Sequence, residues 1–290
     1  MKRLFGLTLL LVALATMSSC HKEEEEDVNK QLPPTEWELV EFNMLNAYQV
    51  TAGYEDMETR ATLDDASCGY LYCFVDGELE LTQVGTDENF GLPTLSLTYG
   101  EHQIQFVASV DPIAWNEGIG TPVSVGGAAP RVRDSFGKVL TLNVDANTPV
   151  QNVHLDRVIS QIKVYVDDAL PSNIGSVEIS IDKHYMSLSH ATLCGAEEKI
   201  FTNTWDISAY AGVSGANFTL SSYVPNLTNE WLANVTIRFK SNTGALLHER
   251  TTAINLLCNR RTVMHGTYKT NGRNSIEVNS EWIEEKAEKW

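Results

Sequence analysis

From Trp37 onward the chain alternates apolar and polar residues over short stretches that end in Gly, Pro, Asn or Asp. That is the pattern of strands with one face buried in an antiparallel sheet. Leu95, Leu97 and Tyr99 alternate up to Gly100, Ile104, Phe106 and Ala108 alternate beyond it, and Leu140, Leu142 and Val144 form a third set. Each set points to one face of its strand. In the second half Val158, Ile162, Val164 and Val166 share a face opposite Gln161 and Lys163; a turn at Pro171, Asn173 and Gly175 then leads into Val177, Ile179 and Ile181. The two segments read as adjacent strands of one sheet. Val235, Ile237 and Phe239 precede a hairpin signal at Ser241, Asn242, Thr243 and Gly244, and the last strand is expected at residues 275–279.

Helical periodicity is confined to residues 281–290 and the neighbourhood of Trp231, where short helices are expected. Residues 112–137, rich in Gly and Pro, read as irregular surface structure. Thr148 and Pro149 interrupt two apolar runs and set a domain boundary near residues 147–151. The expected fold class is all-β: two tandem Greek-key β-sandwich domains, an N-terminal one over residues 37–149 and a C-terminal one over 150–290.

Residues 1–36 follow a different pattern. Lys2 and Arg3 precede an apolar run over residues 4–15, which is too short to span a bilayer, where about 20 apolar residues are needed. Ser18 and Ser19 before Cys20 resemble a lipobox, so residues 1–19 read as a lipoprotein signal peptide. Cys20 becomes the fatty-acylated amino terminus. Residues 20–36 then form a tether whose acidic run, Glu23 to Asp27 behind His21 and Lys22, has too little apolar surface to fold. That run resembles the surface-export signal of Bacteroidetes lipoproteins, which points to the outer face of the outer membrane.

The formal net charge is −17. So acidic a chain repels nucleic-acid phosphates and anionic headgroups, which excludes nucleic acid as a partner and leaves membrane contact to the lipid on Cys20. Cys68, Cys73, Cys194 and Cys258 remain. In an oxidising compartment they suit two disulfides, with Cys68 to Cys73 and Cys194 to Cys258 each inside one domain, or free buried thiols. No C-x-x-C supports zinc or thioredoxin chemistry.

Catalytic signals fail on context. Ser135 and Lys138 have the S-x-x-K spacing, but Gly137 and a following strand remove the helix that would align them. Gly212, Ser214 and Ala216 fall one glycine short of a nucleophile elbow, without the parallel α/β frame around it. His184 and His190, with Asp182 nearby, lack helical spacing for a metal. The acid pairs Asp64-Asp65 and Asp167-Asp168 read as solvated turns, and the sequons at Asn217, Asn226 and Asn234 as loop and strand-edge residues. The sequence therefore calls for no enzyme, catalytic residue, metal or cofactor. Trp37, Trp115, Trp205, Trp231, Trp282 and Trp290 either fill two cores or stack on sugars.

Three segments resemble the Bacteroidales fimbrillins, the subunits of type V pili. Residues 153–166, including His154, Asp156 and Arg157, with the following strand at 174–181, resemble the opening of the family's C-terminal domain. Leu257, Cys258, Asn259, Arg260, Gly266 and Tyr268 resemble its asparagine, arginine and glycine segment before a final strand and a tryptophan, here Trp282. Residues 95–108 resemble its strand, glycine, strand unit. The resemblance implies transthyretin-like sandwiches and a role as a stalk, tip or anchor of a surface fimbria. In that family a lipoprotein precursor reaches the outer membrane, and in polymerising subunits a protease cuts after an arginine. The first strand is released and another subunit's strand fills the groove. By that resemblance, cleavage falls between Arg60 and Ala61, beyond a first strand at 37–50; an ordinary exposed arginine and an uncleaved anchor stay open as alternatives. The implied partners are other fimbrial subunits through β-strand addition, the outer membrane, and host or bacterial surface ligands. The rival function is a carbohydrate-binding surface lipoprotein of a glycan-uptake system, which calls for coplanar exposed tryptophans.

Overall fold

The computed structural model describes residues 37–46, 68–127, 129–269 and 275–278. The first nine strands are β1 (Trp37–Asn46), β2 (Tyr70–Val75), β3 (Glu78–Val84), β4 (Thr94–Thr98), β5 (Gly100–Ser109), β6 (Ile113–Asn116), β7 (Ile119–Pro122), β8 (Ser135–Val144) and β9 (Gln151–Arg157). Then follow β10 (Ile159–Val166), β11 (Ile174–Tyr185), β12 (Leu188–Ser189), β13 (Glu198–Asp206), β14 (Ala216–Tyr223), β15 (Trp231–Ser241), β16 (Leu246–Leu256), β17 (Arg261–Lys269) and β18 (Ser275–Val278). The all-β expectation holds.

The first sheet runs β3-β2-β5-β8-β9-β1-β4. Its join of β8 to β9 is two residue pairs wide, Phe136 with Arg157 and Gly137 with Asp156, and there the sheet folds over on itself. Val40, Phe42, Leu95 and Leu155 of one layer thus meet Leu71, Ile104 and Phe106 of the other in a single core. The second sheet runs β16-β15-β11-β14-β10-β17-β18, with β13 also on β11. β11 touches β14 only at Tyr185 and Tyr223, so β13, β11, β15 and β16 form one layer and β14, β10, β17 and β18 the other. Ile162, Val164 and Val166 face Val177, Ile179 and Ile181 across this core.

Four sequence expectations change. β10 and β11 are not neighbours: β10 pairs with β14 and, in parallel, with β17. Their apolar faces alternate alike because both line one core from opposite layers. Trp231 opens a strand rather than a helix, its ring buried among the second-core residues. Residues 112–137 contain the hairpin β6–β7, to which β12 adds as a third strand. The breakers at Thr148 and Pro149 mark a crossing between layers of the first sandwich, not a domain edge: β9 pairs with β1 and β8, and Val153 and Leu155 sit in the first core. The chain passes to the second sheet at Val158.

A third cluster joins the two sandwiches. Tyr72, Phe74, Val107 and Ile113 from the first half pack with Val158, Ile159, Leu188 and Tyr223 from the second. His190 stacks on Phe74 at 4.2 Å and meets Trp115 edge-on at 6.2 Å. The Tyr72 hydroxyl accepts the Ile113 N–H at 2.7 Å, which fixes the base of the β6–β7 hairpin.

His184 lies near this join, fully buried and stacked on Phe201 at 4.4 Å, with Nε2 donating to the Ser221 carbonyl at 2.9 Å. Burial pulls its pKa down from 6.5 to about 4, against the raising effect of that hydrogen bond. The folded chain therefore holds the ring neutral while the unfolded chain protonates it. Its contribution is complete above pH 6.5 and is lost as pH falls toward 4, by up to roughly 3 kcal/mol. Urea midpoints between pH 7 and pH 4.5 are expected to fall for the parent and to fall less steeply for His184→Leu.

Candidate functional site

The segment WELVEFNMLN places Val40, Phe42 and Met44 on one face, and as strand β1 it buries all three in the first core. Trp37 and Leu39, one step out of that phase, face away and are exposed. β1 is an interior strand. Its first half pairs antiparallel with β4, from Trp37 opposite Thr98 to Glu41 opposite Thr94. The second half pairs in parallel with β9, from Phe42 opposite Gln151 to Asn46 opposite Leu155.

Further bonds hold β1 to the chain before β4. Phe42 N–H donates to the Pro93 carbonyl at 3.0 Å and Met44 N–H to the Gly91 carbonyl at 2.9 Å. The Phe42 ring lies 5.2 Å from that of Phe106 on the opposite layer. Leu95 and Leu97 on one side and Val153 and Leu155 on the other complete the apolar walls. With β1 lifted out, this place is a slot between β9 and β4, each left with unpaired backbone donors and acceptors, and floored by apolar side chains. β4 has no other strand partner among the described residues, so whatever strand fills the slot also holds β4 to the sheet. The slot fits an extended segment with an apolar residue at every second position.

Cys20, Arg60 and Ala61 lie outside the described residues. Cys68, Cys73, Cys194 and Cys258 stand as free thiols. Cys68 and Cys73 lie on one extended segment, so their Cα atoms are about 16 Å apart, well beyond the roughly 7 Å a disulfide can bridge. Burial pushes the Cys68 thiol up to about 12, helped by Asp134, and burial drives Cys73 well above the thiol range. Cys258 donates to the Arg157 carbonyl at 3.1 Å and Cys194 to that of Thr192 at 3.3 Å.

Two of the three segments that carry the fimbrillin resemblance come together. β10 and β17 are parallel neighbours, and at their start Arg157 Nη1 donates to Asn259 Oδ1 at 3.2 Å while Asn259 N–H donates to the Ile159 carbonyl at 2.7 Å. Asn259 adopts φ 54°, a left-handed turn conformation that asparagine tolerates. Arg157 also holds Asp134 through Nε at 2.9 Å and lies over the Phe136 ring at 5.0 Å. These motif residues tie the sandwiches together.

The other candidates disperse. Ser135 is buried and donates to the Arg133 carbonyl at 3.0 Å, while Lys138, on the other face of β8, pairs with Asp156 at 2.9 Å. Asp182 accepts both the backbone N–H and the side-chain amide of Asn234 at 2.7 Å, so it holds β15 rather than a histidine. His184 and His190 stack in separate aromatic contacts. Of the tryptophans within the described residues, Trp37 alone is exposed, at 59%. Trp115 packs against Tyr72 and Phe74, so no coplanar tryptophan platform forms among the described residues.

No protein-family model and no curated protein sequence matches the chain. Solved structures do. A candidate adhesin from Bacteroides ovatus matches at a TM-score of 0.54 with 13% identity, over 84% of this chain and 95% of that one. A candidate polysaccharide-binding protein from Bacteroides thetaiotaomicron matches at 0.50 with 11% identity, over 84% and 96%. The chain shares their fold. The fimbrial anchor protein Mfa2 from Porphyromonas gingivalis matches at 0.43 with 13% identity, over 84% and 98%. Paired β-sandwiches are what the fimbrillin resemblance of the sequence implied.

Proposed function

We propose that this chain is a structural or adhesive subunit of a surface fimbria, held to the outer membrane through the lipid on Cys20 and assembled by exchange of its first strand. The observation that carries the reading is β1 itself: an interior strand, pinned by alternate buried side chains, and joined to the rest of the fold by the segment that contains Arg60. The shared fold with the candidate adhesin supports the same reading. Cutting between Arg60 and Ala61 severs the covalent link but leaves backbone pairing and apolar burial in place. Exchange with a neighbour's strand then replaces contacts with similar ones across a high barrier, so assembly is slow and its products durable.

Limited trypsin treatment is expected to cut early after Arg60 and yield multimers that resist dissociation in detergent, while Arg60→Ala stays monomeric. An alanine variant that assembles as well as the parent contradicts processing at this site and favours an uncleaved anchor or tip.

A further inference from the structure

A cleft opens between the chain leading into β8 and the faces of β13 and β14, with a volume of about 280 Å³. Its lining is unlike the rest of this acidic molecule. Arg131 and Arg133 stand exposed at its mouth, in a chain of formal net charge −17. Arg131 has no ion-pair or hydrogen-bond partner among the described residues, and Arg133 reaches Asp111 only at 3.5 Å. The acid in the lining, Asp134, is already bound by Arg157 at 2.9 Å and does not neutralise them.

Across from the arginines the wall changes character. Phe201 presents a half-buried ring whose other face is backed by His184, so it is held in place as a flat apolar surface. Thr219 and Ser221 project from β14 on the side opposite buried Leu220, and Asn203 lies two residues along β13 from Phe201. Hydroxyl and amide groups both donate and accept, as sugar hydroxyls do. Guanidinium groups bind a planar carboxylate through paired hydrogen bonds.

We infer that this cleft binds one carboxylate-bearing sugar residue, such as a uronic or sialic acid at the end of a surface glycan. The carboxylate meets Arg131 and Arg133, the ring lies on Phe201, and its hydroxyls meet Asn203, Thr219 and Ser221. A peptide carboxylate leaves the hydroxyl-matching wall unused, and a bare inorganic anion leaves Phe201 unused. The volume lies just below the roughly 300–1,000 Å³ of pockets that enclose drug-sized ligands, which suits one ring and not a chain of them. Both sandwiches contribute, so the packed join holds the site open before the ligand arrives. The cleft shares no residue with the β1 slot, and the inference stands whether or not strands exchange.

Calorimetric titration of the full chain with glucuronate, N-acetylneuraminate, glucose and a short peptide with a free carboxylate tests this. At least one acidic sugar is expected to bind about tenfold or more tighter than glucose and the peptide, with affinity falling as salt rises. Arg131→Gln with Arg133→Gln should erase that preference without moving the unfolding midpoint, since both side chains are exposed. Thr219→Val should weaken the acid severalfold. Equal binding of glucose, a peptide bound as tightly as the acids, a preference that survives the double variant, or no binding of either acid at millimolar concentration overturns the assignment.

Discussion

Phe42→Ala is expected to lower the stability of the first sandwich by about 3–5 kcal/mol, the usual cost of emptying a buried aromatic site. Phe42 is 1% exposed and packs on Phe106 across the core. It sits where the pairing of β1 changes from β4 to β9, so neither neighbouring strand can move in to fill the space without giving up ladder bonds. Leu39→Ala on the same strand removes an exposed side chain and is expected to change stability by less than about 0.5 kcal/mol. Urea unfolding of both variants separates burial from strand propensity, because the two positions share one backbone. If exchange of β1 is the assembly step, Phe42→Ala also speeds release of the strand after cleavage, since the anchoring contact is weaker in the starting state.

Arg157→Ala is expected to cost about 2–4 kcal/mol, because it leaves the groups it held without their partner while Asp134 keeps some contact with water. Arg157 is 6% exposed and joins Asp134, which precedes β8, to Asn259, which precedes β17, while covering Phe136. Its removal strips Asp134 of its cation and Asn259 of its donor at the meeting point of the two sandwiches. Arg157→Lys keeps the charge but not the planar fork, and should recover only part of the loss. Two unfolding transitions in place of one would show that the join, and not either core, has failed.

Much of this architecture is written in the alternation of the chain, because a sandwich layer buries one face and leaves the other wet. Ile104, Phe106, Val177, Ile179, Val235 and Ile237 all lie in the cores that the pattern assigns them. Alternation does not say which strand lies beside which, and so β10 and β11 read as neighbours when they face each other across a core. The β6–β7 hairpin is hidden for another reason. Its strands are four residues each, and Gly120 sits there because an added Cβ would fall 2.5 Å from the Trp115 ring, not because a turn needs it. A packing glycine and a turn glycine look alike in sequence. The first strand came with the fimbrillin resemblance, at 37–50, and its interior position was not legible. The cleft was illegible, since Arg131 and Arg133 meet Phe201 and Thr219 from about 70 to 90 positions away.

Strand exchange is tested most directly by offering the slot a replacement strand. The chain nicked after Arg60 is mixed with an excess of labelled peptide bearing the β1 sequence, residues 36–47, and the free segment that carries native β1 is followed by mass spectrometry. The account predicts slow release of the native segment matched one for one by bound labelled peptide, with the fold unchanged by circular dichroism. A peptide in which Val40, Phe42 and Met44 are replaced by serine should not enter. Native β1 that stays in place over days in excess peptide, or leaves only as the sandwich unfolds, contradicts it.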